Sequence, residues 1–332
     1  MGDIFKMRHY RYKQWPSHTK GRFAGIYKEI GERSPDRVDW FAPEEWAHSW
    51  KKEARWKNFQ VQAHSRELNM LFGTQRGCKE QTERCPDGAN IIHWPTFWIS
   101  ATVDQTQYAE FPRQGKITKA FMSLNCQPHM HRCMIMDELV RRKMHKHAVM
   151  TWHYPDVDWD WKAWKPELLE IEPGWNSDHA DSFKYSTFMH SALSSSFMNL
   201  VAESQADIPF LTEKTFQQIM YKRPFLTMAA AGIYKDMDKL GFKRYDEIFD
   251  YSFDEVEDSM ERGLMIIDQV ESIIGKNYQV LNKKIMPKLE YNYQRAKEIA
   301  NDPSHVPDIV KEMIRWDRRW SPPYTRFLQG IT

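Results

Sequence analysis

Nowhere in these 332 residues does an apolar run approach the ~20 residues needed to span a bilayer, and the opening MGDIFKMRHYRYKQW lacks the apolar core of a secretory signal. Four cysteines in a chain of this length are too few for a disulfide framework, so a reducing compartment, the cytoplasm, is expected. Internal repeats and low-complexity tracts are missing as well, which excludes solenoids and arrays. So are GxGxxG and GxxxxGK[ST] loops, which disfavours the usual dinucleotide fold and the P-loop.

What is present is enough apolar material for two ordinary domains. Residues counted as hydrophobic make up 41% and aromatics 14%. The net charge of +2 conceals an uneven start: residues 1 to 60 hold 13 Lys and Arg against 8 Asp and Glu, interleaved with Tyr10, Tyr12 and Trp15. That composition permits a polyanionic partner.

Periodicity and punctuation divide the chain into residues 1–112, 113–253 and 254–332. The first part is polar and Trp-rich, with one strand expected over Asn90 to Val103, interrupted by Pro95. In the second, Ile117–Leu124 reads as a strand, Asn125–Met130 as a turn, His131–Met144 as a helix and Ala148–His153 as a strand, which is a βαβ unit. A second unit starts from the apolar run Phe197–Ala202, passes through an amphipathic helix after Thr212, and ends in the apolar run Pro224–Ala231. A short helix ahead of Gly241 and a strand-like Glu247–Tyr251 follow. Beyond Asp254 the chain is expected to be helical, with Val256, Met260, Leu264, Ile267 and Val270 as the buried stripe. Two such units in series predict an α/β fold with a doubly wound parallel sheet in the C-terminal half and a helical C-terminal tail.

The most informative segment is ESQADIPFLTEKTFQQIMYKR, residues 203–223. Thr212-Glu213-Lys214 sits at the mouth of the second helix, where Thr212 can cap the first turn, the free N–H groups carry the positive end of the dipole, and Lys214 adds a point charge. Taken alone, such a turn is most often a solvated cap. The first unit offers a matching pair, Asn125 and Arg132, and the second adds Glu203 and Ser204. Arg132 and Lys214 could clamp a diphosphate while Glu203 or Glu213 accepts hydrogen bonds from ribose hydroxyls.

The segments SLNCQPHMHRCMIMDEL (123–139) and NLVAESQADIPFLTEKTF (199–216) resemble the two donor-binding blocks of α1,3-fucosyltransferases and related viral and phage glycosyltransferases. The interval from Glu203 to Lys214 matches the family's, and the resemblance covers roughly residues 116 to 235. It implies the two-domain GT-B fold, with residues 1–112 on the acceptor side, 113–253 binding a nucleotide-sugar donor and 254–332 packing on the domains. It implies an inverting glycosyltransferase working in the cytoplasm, a host's if the protein is viral. Carried over, Arg132 and Lys214 hold the diphosphate, Glu213 the ribose, and Glu203 shapes the pocket, with Asn125, Ser204 and Thr212 beside them. No metal or other cofactor is required, because cationic side chains take the metal's place at the leaving group. The acceptor-side base falls on Glu83 or Asp87, ahead of Ile92-His93-Trp94-Pro95. Ala202, Ser204 and Asp207-Ile208-Pro209 depart from the family at the base and sugar contacts, so the donor's base and sugar stay open.

The acceptor stays open too, between a glycan and a hydroxymethylated base in DNA, the second suited to a basic, aromatic N-terminal region. The alternative from another class is a non-catalytic nucleic-acid-binding protein using that same region. Cys126, His129, His131 and Cys133, with Cys78 and Cys85, are crowded enough to suggest zinc, but their spacing favours no metal site. Trp152, Trp159, Trp161, Trp164 and Trp175 could stack on a sugar, although core packing is the commoner use of such a series.

Overall fold

The computed structural model describes residues 9–13, 37–42, 67–77, 90–95, 116–125, 129–152 and 193–315. The chain divides into two compact units, Met1–Phe97 with Asp302–Thr332, and Trp98–Asn301. Each carries its own four-stranded parallel sheet, so the architecture is mixed α/β.

In the first unit, β1 (His9–Lys13), β2 (Arg37–Ala42), β3 (Glu67–Phe72) and β4 (Asn90–His93) lie side by side in chain order, all parallel. Sequence reading finds only β4, and finds it too long: the strand ends at His93 before Trp94 and Pro95, because proline cannot donate to a ladder. The register pairs Phe72 with His93, and Trp94 donates back from its backbone to the Phe72 carbonyl at 2.9 Å. His93 stacks on Phe72, with ring centroids 5.7 Å apart, and meets the Thr74 hydroxyl at 3.0 Å through Nδ1.

In the second unit, β5 (Lys119–Asn125), β6 (Ala148–Trp152), β7 (Ser196–Ala202) and β8 (Phe225–Met228) form a parallel sheet in the order β6-β5-β7-β8. β7 is buried at all its positions, as a central strand covered on both faces must be. Helix α1 (Met130–Arg141) joins β5 to β6, and α2 (Glu213–Met220) lies between β7 and β8. Both expected βαβ orders are therefore present. The chain steps outward from β5 to β6, crosses back to β7, and continues to β8, so the direction of progression reverses between β5 and β7.

Helix α2 ends in a Schellman turn with lysine where glycine is usual: Lys222 takes φ 51° while its N–H bonds the Ile219 carbonyl and that of Arg223 bonds Gln218. Lys222 is kept there by an ion pair to Glu290 (2.6 Å) and by the face of Tyr293. The sharp stop at Lys222 lets β8 begin three residues later, at Phe225.

After β8 come α3 (Ile233–Lys239), a left-handed Gly241, α4 (Ser259–Ile273) and α5 (Tyr278–Asn301), with α6 (Asp308–Arg315) in the first unit. The expected strand over Glu247–Tyr251 does not form. Phe249 and Tyr251 instead join Tyr234 and Phe253 in an edge-on aromatic cluster, the Tyr251 hydroxyl accepts from the Tyr245 N–H, and Asp250 turns the chain by accepting from Ser252. The stripe of α4 is also rotated from expectation. Val256 precedes the helix, Met260 and Leu264 are each 39% exposed, and the buried face runs through Arg262, Gly263, Ile266, Ile267, Val270 and Ile273. Gly263 lies at the closest approach: a Cβ there would stand 2.2 Å from Met134 Cε and 3.3 Å from Met228 Cε, so glycine lets α4 pack on α1 and β8 without displacing the ends of those two side chains.

Candidate functional site

The carboxyl ends of β5 and β7, where the strand order reverses, are the place in an open parallel sheet where ligands bind. Each strand leads there into a helix, and the two helix N-termini differ in their surroundings.

The N-terminus of α2 is occupied from within. Thr212 is its cap, with the Lys214 N–H on its hydroxyl oxygen at 3.3 Å. Behind it stands Glu203, fully buried, whose carboxylate accepts from the Thr212 N–H (3.0 Å), the Thr212 hydroxyl (2.5 Å) and the Thr215 hydroxyl (2.6 Å). A buried carboxylate needs such donors around it to offset the water it has lost. At this helix end, then, the fold itself places a carboxylate against the capping residue and the first turn. Glu203 shapes the region by holding the loop, and its oxygens face the protein.

The N-terminus of α1 is built differently. His129 is its cap residue and makes no side-chain capping bond, and no acidic residue lies in the first turn. Around it are cations. Arg132 lies in the first turn at 4% exposure, while Lys214 is half-buried. Lys214 Nζ lies 3.3 Å from the Thr212 hydroxyl oxygen, and its charge is felt at His129. His129 is exposed, yet the protein packed around its ring lowers its pKa to about 4, with Arg132 and Lys214 contributing further. His131 is buried, and desolvation, reinforced by Arg132, His129 and Arg262, brings it to about 4 against the hydrogen bond it makes to Glu203. The two imidazoles stack with centroids 5.9 Å apart and planes 11° from parallel. At neutral pH both are uncharged, and the fixed positive charge here is that of Arg132 and Lys214.

Asn125 closes β5 and is buried, with its amide donating to the Ser123 hydroxyl (3.0 Å) and to Met136 sulfur. Ser204 is buried in the turn after β7. Glu213 opens α2, and its side chain lies outside the described residues. Glu83, Asp87, Cys126 and the Trp159–Trp175 series lie outside them too. Among the described residues no group of three or more His, Cys, Asp and Glu is placed to hold a metal ion, and Cys133 is a buried free thiol whose pKa is raised by burial. None of the helices among the described residues is long and apolar enough to cross a membrane.

Two residues that sequence reading did not assign to the site support it. His131 bonds the Glu203 carbonyl through Nε2 at 2.8 Å, tying the start of α1 to the end of β7. Arg262, 2% exposed, donates to the carbonyls of Ala206, Ala229, Val256 and Glu257, fastening the loops after β7 and β8 to the entry of α4. The available signal was an arginine at the buried phase of an apolar helix.

No family model matches the chain, and no curated protein matches it. A solved structure, the crystal structure of the DNA modifying enzyme beta-glucosyltransferase in the presence and absence of the substrate uridine diphosphoglucose, is similar over 87% of this chain and 84% of that one, at 10% identity and a TM-score of 0.38. A likeness of that degree decides nothing about function.

Proposed function

We propose that the chain is an inverting glycosyltransferase of the two-domain GT-B kind, moving a sugar from a nucleoside-diphosphate sugar to a hydroxyl acceptor, a glycan or a hydroxymethylated base in DNA. The observation that carries this reading is the gathering of Arg132, Lys214 and His129 at an uncapped helix N-terminus beside the strand-order reversal. Two cations beside a helix start that carries no acidic residue in its first turn suit a ligand with adjacent negative charges. A nucleoside diphosphate is such a ligand. The fucosyltransferase-like spacing of Arg132 and of Glu203 to Lys214 supports the sugar-transfer chemistry.

In this reading the donor is held by residues 113–253, whose sheet is doubly wound, and the acceptor by residues 1–112. The bond from the anomeric carbon to the diphosphate breaks as the acceptor oxygen attacks. Arg132, Lys214 and the α1 dipole stabilise the departing diphosphate, where negative charge develops, without a metal ion. Glu83 or Asp87 takes the acceptor proton.

Calorimetric titration with GDP, UDP, ADP and CDP at fixed salt and without added metal tests the reading. Selective binding of one of them, lost in Lys214→Ala, is expected and names the base. Failure to bind any of the four would sink it. With a donor in hand, a DNA acceptor is expected to show turnover that falls steeply with salt, and a glycan acceptor little dependence.

A further inference from the structure

Glu203 touches three elements with three different groups. Its N–H donates to the Met228 carbonyl at the end of β8 (3.1 Å), its carbonyl accepts from His131 on α1 (2.8 Å), and its carboxylate gathers Thr212 and Thr215 of α2. The carbonyl acceptor requires a donor, so Nε2 of His131 carries the proton. Thr215 is fixed in turn against Thr227 of β8, oxygen to oxygen at 3.1 Å. The residues so joined are the immediate neighbours of the two cations: His131 precedes Arg132, and Thr212 and Thr215 bracket Lys214. A single run of bonds, His131 to Glu203 to Thr212 and Thr215, therefore links the residue next to Arg132 with the two that flank Lys214.

We propose that this run is a strut, with His131 and Glu203 as positioning residues, which holds Arg132 and Lys214 at a fixed separation and so makes the site select two adjacent phosphates over one. The inference rests on the anion-binding part of the function proposed above. A single phosphate needs only one of the two walls and tolerates their drift, whereas a diphosphate must meet both at once. Loosening the strut costs affinity for the longer anion first.

The test uses the full chain, with inorganic pyrophosphate and inorganic phosphate as calorimetric probes and a thermal melt for every variant. Wild type is expected to bind pyrophosphate at least about tenfold more tightly than phosphate. In His131→Leu the preference is expected to shrink about tenfold, chiefly through weaker pyrophosphate binding. His131→Gln, whose Nε2 can stand in for the imidazole Nε2, is expected to restore it. If His131→Leu does not fold, Thr215→Val decides, because it loosens the same strut at its other end and predicts the same direction. A folded His131→Leu or Thr215→Val that keeps the wild-type preference overturns the strut and leaves the donor site standing, as does a folded His131→Gln that fails to restore it. A wild-type protein that binds neither probe overturns both.

Discussion

Helices α1 and α2 begin in equivalent places, each at the carboxyl end of a parallel strand and each within reach of the same residue, Glu203. They are treated oppositely. The α2 terminus has a carboxylate built in behind Thr212, while α1 has no capping side chain, no acid in its first turn and cations at its rim. A helix dipole offers the same partial charge in both cases. Whether that charge is available depends on whether the fold has already neutralised it. Composition at the turn is richer in site-like residues at α2, and it does not reveal that the fold sets its own carboxylate there.

The largest effect is expected from emptying the filled terminus. Glu203→Ala strands the Thr212 N–H and the Thr212 and Thr215 hydroxyls, each costing roughly 1–3 kcal/mol when buried and unmade, so denaturant unfolding should show a loss of about 3 kcal/mol or more. A loss under 1 kcal/mol would mean that α2 does not depend on its internal anion.

Next comes the open terminus. Lys214→Ala should weaken diphosphate binding by about two orders of magnitude, roughly 2.7 kcal/mol, with the melting temperature nearly unchanged because the side chain is only half-buried. Arg132→Ala should lose as much affinity and some stability as well, since that side chain is buried. Equal melting temperatures for the two variants would contradict the burial contrast.

Acid sharpens the comparison further. The folded pKa of His131, about 4, lies below its ordinary 6.5, so the unfolded chain takes up its proton first. Stability tied to this group is complete above about pH 6.5 and drains away as pH falls toward 4. Linkage over that interval, about 2.5 pH units at roughly 1.36 kcal/mol each, amounts to about 3 kcal/mol for one buried imidazole. His131→Gln should lower the slope of unfolding stability against pH across this window, with His129, also brought to about 4, supplying the remainder, whereas an unchanged slope would place the titration elsewhere.

The smallest effect comes from giving α1 the anion it lacks. Met130 is 54% exposed in the first turn, and Met130→Glu should stabilise the protein by about 0.3–1 kcal/mol through the dipole. The same change should weaken diphosphate binding. Both effects together would make the two termini alike.

The second unit's sheet was legible because its strands are continuous apolar runs and its helices carry recognisable starts, Thr212 above all. Strands β1 to β3 were not, because HYRYK, RVDWFA and ELNMLF are short and set polar or charged residues at alternate positions, without the continuous apolar run that marks β7. The phase of α4 was missed because an apolar count ignores Arg262 and Gly263, and both face inward. Tyr251 looked like strand material because its aromatic neighbours are apolar, although they pack on one another. At the site, spacing brought out Arg132, Lys214 and Glu203 together, but spacing carries no direction. The inward turn of the Glu203 carboxylate follows from Thr212 and Thr215 lying one helical turn apart and facing it, and that becomes visible only once α2 is docked.

Arg262 has a consequence for motion. Because one guanidinium is shared by the carbonyls of Ala206, Ala229, Val256 and Glu257, none of these three segments can lift away without stranding donors needed by the others. The loops after β7 and β8 and the entry to α4 should therefore open as one cooperative piece, with their slow amide protons exchanging at a common rate. A lysine, with one compact ammonium in place of a fork of N–H groups, would let each of them breathe on its own.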